Sequence, residues 1–188
     1  MSYFPAFIEL NNKRILLVGG GVIACEKLSR LLDFSRDIEI ISLEFCDEMK
    51  ESIKLHGLMH EQRPYVKGDI KEYAMVIVAV DDIPLQKIIY DESQNLKCLC
   101  NAVDSVDYCD FIFPSYIKEG DLTLAISTSG SSPAFAKYFK AYLRELIPSN
   151  ISNFLGEMRD LRKILPKGKE RMAFLDEKVK NYMNKIKS

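Results

Sequence analysis

The sequence lacks three features that would each have pointed to a particular class of protein. Basic and acidic residues nearly cancel, leaving a net charge of -1, so the basic excess typical of nucleic-acid-binding domains is absent. No apolar run approaches the roughly 18 residues of a membrane span. The opening residues, MSYFPAFIELNNKR, have no basic segment followed by an apolar core. We therefore expect a cytoplasmic protein that binds neither nucleic acid nor membrane.

The cysteines lack the pattern of a disulfide framework or a zinc site. There are five, an odd number, and none form a CxxC pair. Cys98 and Cys100 alternate along a predicted strand, so we interpret them as small buried hydrophobic residues and not as metal ligands. His56 and His60 have the spacing of a metal pair on a helix. Because Gly57 lies between them and no third ligand is evident, we interpret both as loop residues and predict no metal site.

Strands alternate with helices through the first part of the chain. Each strand is a short apolar or β-branched run, and each helix shows apolar residues at helical spacing. In order these are RILLV (14–18), a helix after three glycines, DIEIIS (37–42), a helix from Cys46 to His56, MVIVAV (75–80), the helix PLQKIIYDES, and KCLCNAV (97–103). Such alternation predicts an α/β fold with a Rossmann-like parallel sheet.

The pattern changes after Phe113. The turn KEGD (118–121) and the strand LTLAIST (122–128) predict a hairpin, and Ser132 and Pro133 are an N-cap and a first helical residue for a helix ending near Leu146. Two more helices are predicted at 150–164 and 168–186. We therefore predict three parts: a nucleotide-binding domain (1–113), a small α+β region of hairpin and helix (114–148), and a helical C-terminal region (149–188).

The segment VGGGVIACEK contains a dinucleotide-binding fingerprint. Gly19, Gly21 and Ala24 fit G-x-G-x-x-G/A between a strand and a helix. In this motif the first glycine makes a tight turn, the second leaves room for a pyrophosphate, and the third position lets the helix pack closely on the sheet. The amides of the first helical turn face the anion. The alternative is a glycine-rich turn with a purely structural role.

The fingerprint also requires an acid after the second strand to bind the adenine ribose. Glu44 follows that strand, and its charge favours NAD over NADP by repelling a 2′-phosphate; a solvated surface acid is the alternative. Asp82 follows the strand MVIVAV, where helix capping is the alternative to a coenzyme contact. The residues that we expect to line the coenzyme are Gly19, Gly21, Val22, Ile23, Ala24, Leu43, Glu44 and Asp82.

Four blocks together resemble the precorrin-2 dehydrogenases of sirohaem synthesis. They are ILLVGGGVIACEK, VAVDD, CNAVDSVDYCDFIFPS and LAISTSGSSPAFAKYFKAYLRELIP, and the resemblance covers about residues 3 to 148. It implies NAD-dependent oxidation of precorrin-2, a tetrapyrrole rich in carboxylates, to sirohydrochlorin. Some members also insert ferrous iron, which the sequence leaves open for this chain. The resemblance further implies a homodimer built largely through the region from Pro114 onward, with each active site near the subunit boundary.

The resemblance assigns a role to one aspartate. The family's N-x-V-D block maps onto Asp104, which is implied to be the acid/base group, whereas a turn-forming aspartate is the alternative. We interpret Asp107 and Asp110 as turn and surface acids. Substrate contacts are expected from Asn101 and from Thr128, Ser129, Gly130 and Ser131, although capping alone explains the neighbouring Ser132.

Two features depart from the family pattern. Glu26 precedes Lys27 in the first predicted helix, where the family often has a basic residue, and the tail after residue 148 is short and matches poorly. A different class of function is a non-catalytic NAD-sensing module whose helical tail binds a partner. That reading explains the glycines but gives no reason for the NAVD and STSGSSP blocks.

Overall fold

A computed structural model describes residues 3–187, except the side chain of Lys187. Within this range the chain forms seven strands, six α-helices and a short 3-10 helix (Val106–Tyr108). In chain order they are β1 (Ile15–Val18), α1 (Val22–Leu31), β2 (Ile38–Ser42), α2 (Asp47–His56), β3 (Met59–Gln62), β4 (Met75–Val78), α3 (Ile83–Leu96), β5 (Leu99–Ala102), β6 (Ser115–Glu119), β7 (Leu122–Ile126), α4 (Pro133–Leu146), α5 (Ile151–Ile164) and α6 (Lys169–Lys187). Met1, Ser2 and Ser188, at the ends of the first and last predicted domains, lie outside the described residues.

The first five strands form one parallel sheet in the order β3-β2-β1-β4-β5. Ile15 of β1 pairs with Ile38 of β2 on one side and with Met75 of β4 on the other. The order of strands along the chain therefore reverses between β1 and β4. In a parallel α/β sheet, ligands bind beyond the carboxyl ends of the strands at such a reversal. The predicted α/β fold with a Rossmann-like sheet is confirmed.

The core of this sheet consists of its two central strands and the helices on its faces. Every residue of β1 and β4 is buried, as expected for parallel strands that are covered on both sides. Cys98 and Cys100 are buried among apolar residues that include Val76 and Ile89. Burial raises the pKa of the Cys98 thiol to about 11 and that of Cys100 to about 12. The prediction that both cysteines are small buried residues is confirmed.

The interpretation of the histidines as loop residues is wrong. His56 is the last residue of α2, where Gly57 ends the helix in the left-handed conformation at φ +62°. His60 lies in the edge strand β3, which the sequence analysis did not predict, and its ring contacts Phe45 edge-on. All four residues of β3 are exposed, so the strand carries no apolar periodicity by which sequence reasoning finds strands.

Helix α3 is longer than predicted and begins with a side-chain cap. The Leu85 amide donates to Asp82 Oδ1 at 2.9 Å, so the capping alternative for Asp82 is realised. The helix continues past the predicted PLQKIIYDES segment to Leu96 and ends at Lys97, which adopts φ +57°. Since these last residues have neither apolar spacing nor a glycine, the sequence did not mark this end.

Chain contacts divide the described residues into two units, Tyr3–Ile112 and 113–187. In the second unit, β6 and β7 form the predicted antiparallel hairpin. The predicted cap of α4 is also present, because the Phe135 amide donates to Ser132 Oγ at 3.1 Å. The tail forms α5 and α6, which are joined by stacking of Phe154 on Tyr182 with ring centroids 3.8 Å apart. The predicted division of this second part at residue 148 stays a prediction.

None of the helices within residues 3–187 combines the length and the apolar character needed to cross a membrane.

Candidate active site

The three glycines after β1 have different structural roles. Gly19 adopts φ +128°, and a Cβ there would overlap the Ala79 carbonyl oxygen. A Cβ on Gly20 would overlap the Glu44 carbonyl oxygen and press on the Phe45 ring. A Cβ on Gly21 would meet no protein atom within 4 Å. The chain's own packing and backbone therefore explain the first two glycines but leave open space at Gly21.

Helix α1 presents its amino terminus to that open space. Gly21 is the N-cap, and the first intrahelical bond runs from the Cys25 amide to the Gly21 carbonyl at 3.0 Å. The amides of Val22, Ile23 and Ala24 thus precede the helical hydrogen-bond ladder, where an anion is favoured. Val22 and Ile23 have exposed side chains, whereas that of Ala24 is fully buried. Ala24 can therefore offer a ligand its amide only.

The Leu43–Glu44 segment lies against the glycine turn. The Cys46 amide donates to the Gly20 carbonyl at 2.8 Å. Ser42 Oγ donates to the Glu44 carbonyl at 2.7 Å, and Gln62 Nε2 donates to the Leu43 carbonyl at 3.1 Å. The side chains of Leu43 and Glu44 remain exposed. Sequence reasoning missed the anchoring roles of Ser42 and Gln62, because Gln62 lies in the unpredicted strand β3.

These features fit a dinucleotide. The space at Gly21 can accept a pyrophosphate without displacing a side chain, and the free amides of Val22 to Ala24 lie at the helix end next to it. The Glu44 backbone lies next to the same turn, and its exposed carboxylate can accept hydrogen bonds from a ribose. Asp82 lies after β4 on the other side of the strand-order reversal, but its Oδ1 is engaged as a cap. Its predicted coenzyme contact has less support than that of Glu44.

Asp104 lies in the turn directly after β5. Its side chain is exposed, and its backbone adopts φ +60°, a left-handed conformation in which aspartate and asparagine are enriched. The Val103 amide donates to the Val78 carbonyl at 2.9 Å, which ties the turn to the end of β4. Asp104 is therefore a turn residue by conformation, but its side chain is exposed at the carboxyl edge of the sheet.

Lys27 of α1 brings a positive charge to Asp104. Burial, followed by the Arg30 charge, lowers the pKa of Lys27 below its usual value, while the charges of Glu26, Asp104 and Cys109 act in the opposite direction. The half-buried ammonium group is thus within electrostatic reach of the Asp104 carboxylate. In the sequence, Lys27 stands out only for its acidic neighbour Glu26, and no role is predicted for it. The sequence does not reveal that Lys27 lies near Asp104, because the two residues come together only in the folded chain.

Asp110 has a structural role that the turn-and-surface interpretation did not anticipate. Its carboxylate is exposed but accepts from the Cys100 amide at 2.8 Å and from Gln94 Nε2 at 3.0 Å. It therefore satisfies one backbone amide on the outer side of β5, that of Cys100. Asp107 is exposed, as expected of a surface acid. Asp107 lies within the short 3-10 helix and Asp110 follows it, and only Asp110 bonds to the strand backbone.

Asn101 uses its side chain inside the protein. It is buried in β5, and its Nδ2 donates to the Phe111 carbonyl at 2.8 Å and to Cys109 Sγ at 3.4 Å. These bonds hold the chain segment that returns along β5 after the Asp104 turn. The predicted substrate contact of Asn101 stays a prediction, and its observed bonds give it a supporting role for the turn.

The predicted substrate loop lies in the second unit. Thr128 Oγ1 accepts from the Ser132 amide at 3.1 Å, and its carbonyl accepts from the Ser131 amide at 2.9 Å. Ser129 and Gly130 have positive φ values of 51° and 85°, and both are exposed together with Ser131. The loop is thus a tight turn that leads into the capped amino terminus of α4. Its contacts with a substrate stay a prediction.

The described residues also show how potential metal ligands and thiols are arranged. Within residues 3–187 no group of three or more His, Cys, Asp or Glu side chains is arranged to hold a metal ion. The five cysteines are all free, and burial raises the pKa values of Cys25, Cys98, Cys100 and Cys109. A raised thiol pKa lowers the fraction of reactive thiolate at neutral pH.

Comparison with known proteins decides the family of the first unit. A family model described as "Putative NAD(P)-binding" matches residues 6–115, which is more than half of the chain. The chain belongs to this NAD(P)-binding family. The predicted class of coenzyme is thereby confirmed, and the match contains the glycine turn, Glu44, Asp82 and Asp104.

Curated relatives extend the similarity beyond this region. The chain is 31% identical over 181 residues to a siroheme synthase of Photorhabdus laumondii, covering 94% of this chain and 38% of the relative. It is 32% identical over 161 residues to that of Actinobacillus succinogenes, covering 86% and 33%. The chain thus spans about a third of the length of these relatives. The alignment over 94% of the chain also corrects the expectation that the similarity ends near residue 148.

A solved structure shares the whole fold. The structure titled "SirC, precorrin-2 dehydrogenase" superposes with a TM-score of 0.80 at 24% identity, covering 98% of this chain and 99% of that chain. The helical tail is therefore part of the shared fold.

Proposed function

We propose that this NAD(P)-binding protein is an NAD-dependent dehydrogenase that oxidises precorrin-2 to sirohydrochlorin. The observation that carries the proposal is the carboxylate of Asp104, held at the carboxyl edge of the same sheet as the glycine turn. The names of the siroheme synthase relatives and of the matching solved structure supply the substrate class. A bare nucleotide-sensing module has no need for an aspartate in a left-handed turn at that edge.

The coenzyme is assigned to the glycine turn and the end of β2. The amides of Val22 to Ala24 bind the pyrophosphate, and Gly21 leaves room for it. Glu44 accepts from the adenine ribose and repels a 2′-phosphate, which favours NAD over NADP. When bound, the nicotinamide supplies a hydride acceptor.

Asp104 handles the proton in this reaction. The conversion of precorrin-2 to sirohydrochlorin removes one hydride and one proton, so a base is needed. Because the carboxylate is exposed in the protomer, the bound tetrapyrrole must itself exclude water from it. The Lys27 ammonium, half-buried and near Asp104, is placed to attract the carboxylates of the substrate. Thr128 to Ser131, at the amino terminus of α4, are proposed as further anion contacts.

We also propose that the protein is a homodimer that pairs through α4. Five residues at helical spacing form an exposed apolar face on this helix: Phe135, Tyr138, Phe139, Tyr142 and Leu146. Tyr138 is 75% exposed, and the Phe135 and Phe139 rings stack at 5.3 Å. A contiguous apolar face of this kind on a helix is typical of a subunit interface. We assign the protein to the cytoplasm, where its free thiols stay reduced.

Anaerobic incubation of the purified protein with precorrin-2 and NAD tests the activity. We expect NADH to appear together with the visible spectrum of sirohydrochlorin. NAD binding without turnover of precorrin-2 would contradict the proposal and favour a nucleotide-sensing module. In a separate assay, ferrous iron and sirohydrochlorin are mixed without NAD, and formation of sirohaem above the uncatalysed rate decides whether iron is a second substrate.

Light scattering after size exclusion tests the dimer. Tyr138→Glu is expected to give a monomer, because it places a charge in the centre of the apolar face. Lys137→Glu, an exposed neighbour on the same helix, is the matched control and should stay dimeric. A wild-type protein that elutes as a monomer at micromolar concentration would refute this part of the proposal.

A further inference from the structure

The turn that carries Asp104 is held by a buried side chain from another element. Gln86 lies at the end of the first turn of α3 and is only 2% exposed. Its Nε2 donates to the Val103 carbonyl at 3.2 Å, and its Oε1 accepts a hydrogen bond from Ser105 Oγ. Gln86 therefore contacts the residues on both sides of Asp104.

The same side chain also reaches the end of β4. Gln86 Nε2 donates to the Val80 carbonyl at 2.8 Å. One amide group thus joins the chain after β4, the residue before Asp104 and the residue after it. Such buried polar bonds fix geometry, because the loss of any one leaves a buried group without a partner.

Helix α3 is itself anchored at the same edge. Asp82 caps its first turn, and the Gln86 amide donates to the Asp82 carbonyl at 2.9 Å. The backbone that carries Gln86 is therefore fixed by the helix cap. Glutamine side chains usually lie on the surface, so the burial of this one calls for a reason. Leucine or methionine could fill the same buried space, but neither could form these hydrogen bonds.

We propose that Gln86 is a positioning residue, which holds the left-handed turn so that the Asp104 carboxylate faces the reacting carbon and its proton. This inference rests on the proposed function for its catalytic consequence but not for its structural content. Asp104 adopts φ +60°, a conformation less favourable than the usual ones for a residue with a side chain. The hydrogen bonds of Gln86 to Val103 and Ser105 stabilise this conformation. Because displacement of a catalytic group by about 1 Å costs on the order of 100-fold in rate, a loosened turn is expected to slow catalysis.

The test compares Gln86→Leu with Ser93→Ala. Ser93 is also buried in α3, and its hydroxyl donates to the Tyr90 carbonyl of the same helix at 2.7 Å, with no bond to residues 103 to 105. For Gln86→Leu we expect faster hydrogen–deuterium exchange of the amides of residues 103 to 105, a fall in kcat of about tenfold or more, and a dissociation constant for NAD within about twofold of wild type. For Ser93→Ala we expect wild-type exchange at these amides and wild-type kcat.

The two measurements separate the possible failures. Unchanged exchange at residues 103 to 105 in Gln86→Leu would overturn the proposal, and so would faster exchange with unchanged kcat. If the wild-type protein does not oxidise precorrin-2, the proposed function fails, while the exchange result still decides whether Gln86 holds the turn. If Gln86→Leu does not fold, Ser105→Ala removes only the Ser105 bond, and it is expected to change exchange and kcat in the same direction by a smaller factor.

Discussion

The two edges of the parallel sheet use polar residues in opposite ways. At the amino edge, Arg14 donates to Glu39 at 2.7 Å and to the Tyr73 hydroxyl at 3.1 Å, and Tyr73 donates to Glu39 at 2.5 Å. The Arg14 guanidinium also lies 4.5 Å from the centre of the Tyr73 ring. At the carboxyl edge, the carboxylates of Glu44 and Asp104 are exposed, and Gly21 faces open space.

This difference shows how one sheet separates stability from function. The amino-edge network satisfies its polar groups within the chain, so it contributes to folding and offers little to a ligand. At the carboxyl edge, Gly20, Ser42 and Gln86 fix backbone segments, while the carboxylates of Glu44 and Asp104 stay exposed, as the proposed function requires. Substitutions at the two edges should therefore affect different measurements.

The largest effect is expected from Asp104→Asn. Asparagine tolerates the left-handed turn, so the free energy of unfolding should change by less than about 0.5 kcal/mol, and NAD should bind normally. Without the carboxylate to accept a proton, kcat should fall by about 100-fold or more. Thermal denaturation, NAD titration and steady-state kinetics check the three expectations. Asp107→Asn, in the same loop, is the control that should keep wild-type kcat, and near-normal turnover of Asp104→Asn would return Asp104 to a structural role.

The glycine turn allows a comparison within the carboxyl edge. Gly20→Ala places a methyl group against the Glu44 carbonyl and should lower the free energy of unfolding by about 3 kcal/mol. Gly21→Ala meets no protein atom and should leave that free energy within about 0.5 kcal/mol of wild type. Because the added methyl group would occupy the space assigned to the pyrophosphate, Gly21→Ala should weaken NAD binding by about tenfold, or about 1.4 kcal/mol. Chemical denaturation and NAD titration give the two values.

One result for Gly21→Ala would contradict the assignment of the pyrophosphate to the space at Gly21. If Gly21→Ala binds NAD as tightly as wild type, the pyrophosphate does not lie at this turn. The glycines would then have the purely structural role that the sequence left as an alternative.

At the amino edge, Glu39→Gln should lower stability without affecting catalysis. The substitution removes the charge that both Arg14 and Tyr73 contact, and a hydrogen bond to a charged group is worth about 2 kcal/mol. The Glu39 side chain is 15% exposed, whereas Glu72, which also pairs with Arg14, is 81% exposed. Glu72→Gln is therefore the matched control, with an expected change below about 0.5 kcal/mol. A fall in kcat for Glu39→Gln in the folded protein would show that the two edges are coupled.

The sequence predicted the elements that carry strong local signals. The apolar runs of β1 and β4, the glycine turn, the hairpin and the capped start of α4 each follow from residue type and spacing. The exposed edge strand β3 and the full length of α3 were missed, because neither has the apolar pattern or the terminating residue that marks such elements.

The site was predicted in part, for a related physical reason. Gly19 and Gly21 carry a motif with its own mechanism, and Asp104 was found through a family block. The roles of Lys27, Gln62 and Gln86 depend on which segments meet in space. A glutamine that bonds to carbonyls six and 17 residues away has no local signature, so only the folded chain shows that it supports the turn.

The smallest effect is expected from Tyr73→Phe, and it depends on pH. Burial, together with the hydrogen bond to Glu39 and its charge, raises the pKa of Tyr73 above its usual value of about 10. A raised pKa in the folded state means that the unfolded chain loses this proton first, so the stability contributed by the phenol is complete below about pH 10 and is lost as the pH rises further. At pH 8, Tyr73→Phe should be less stable by about 1 kcal/mol, the value of a typical hydrogen bond.

Above pH 10 the two proteins should become more similar. The stability of wild type should fall more steeply with pH than that of Tyr73→Phe, because phenylalanine has no proton to lose. Tyr65, whose pKa is also raised by burial and by its hydrogen bond to Glu92, remains in both proteins and cancels in the comparison. Urea denaturation between pH 8 and 11 measures the difference. Parallel curves across this range would mean that the Tyr73 hydroxyl adds nothing to the amino-edge network and that its strength comes from the Arg14–Glu39 pair.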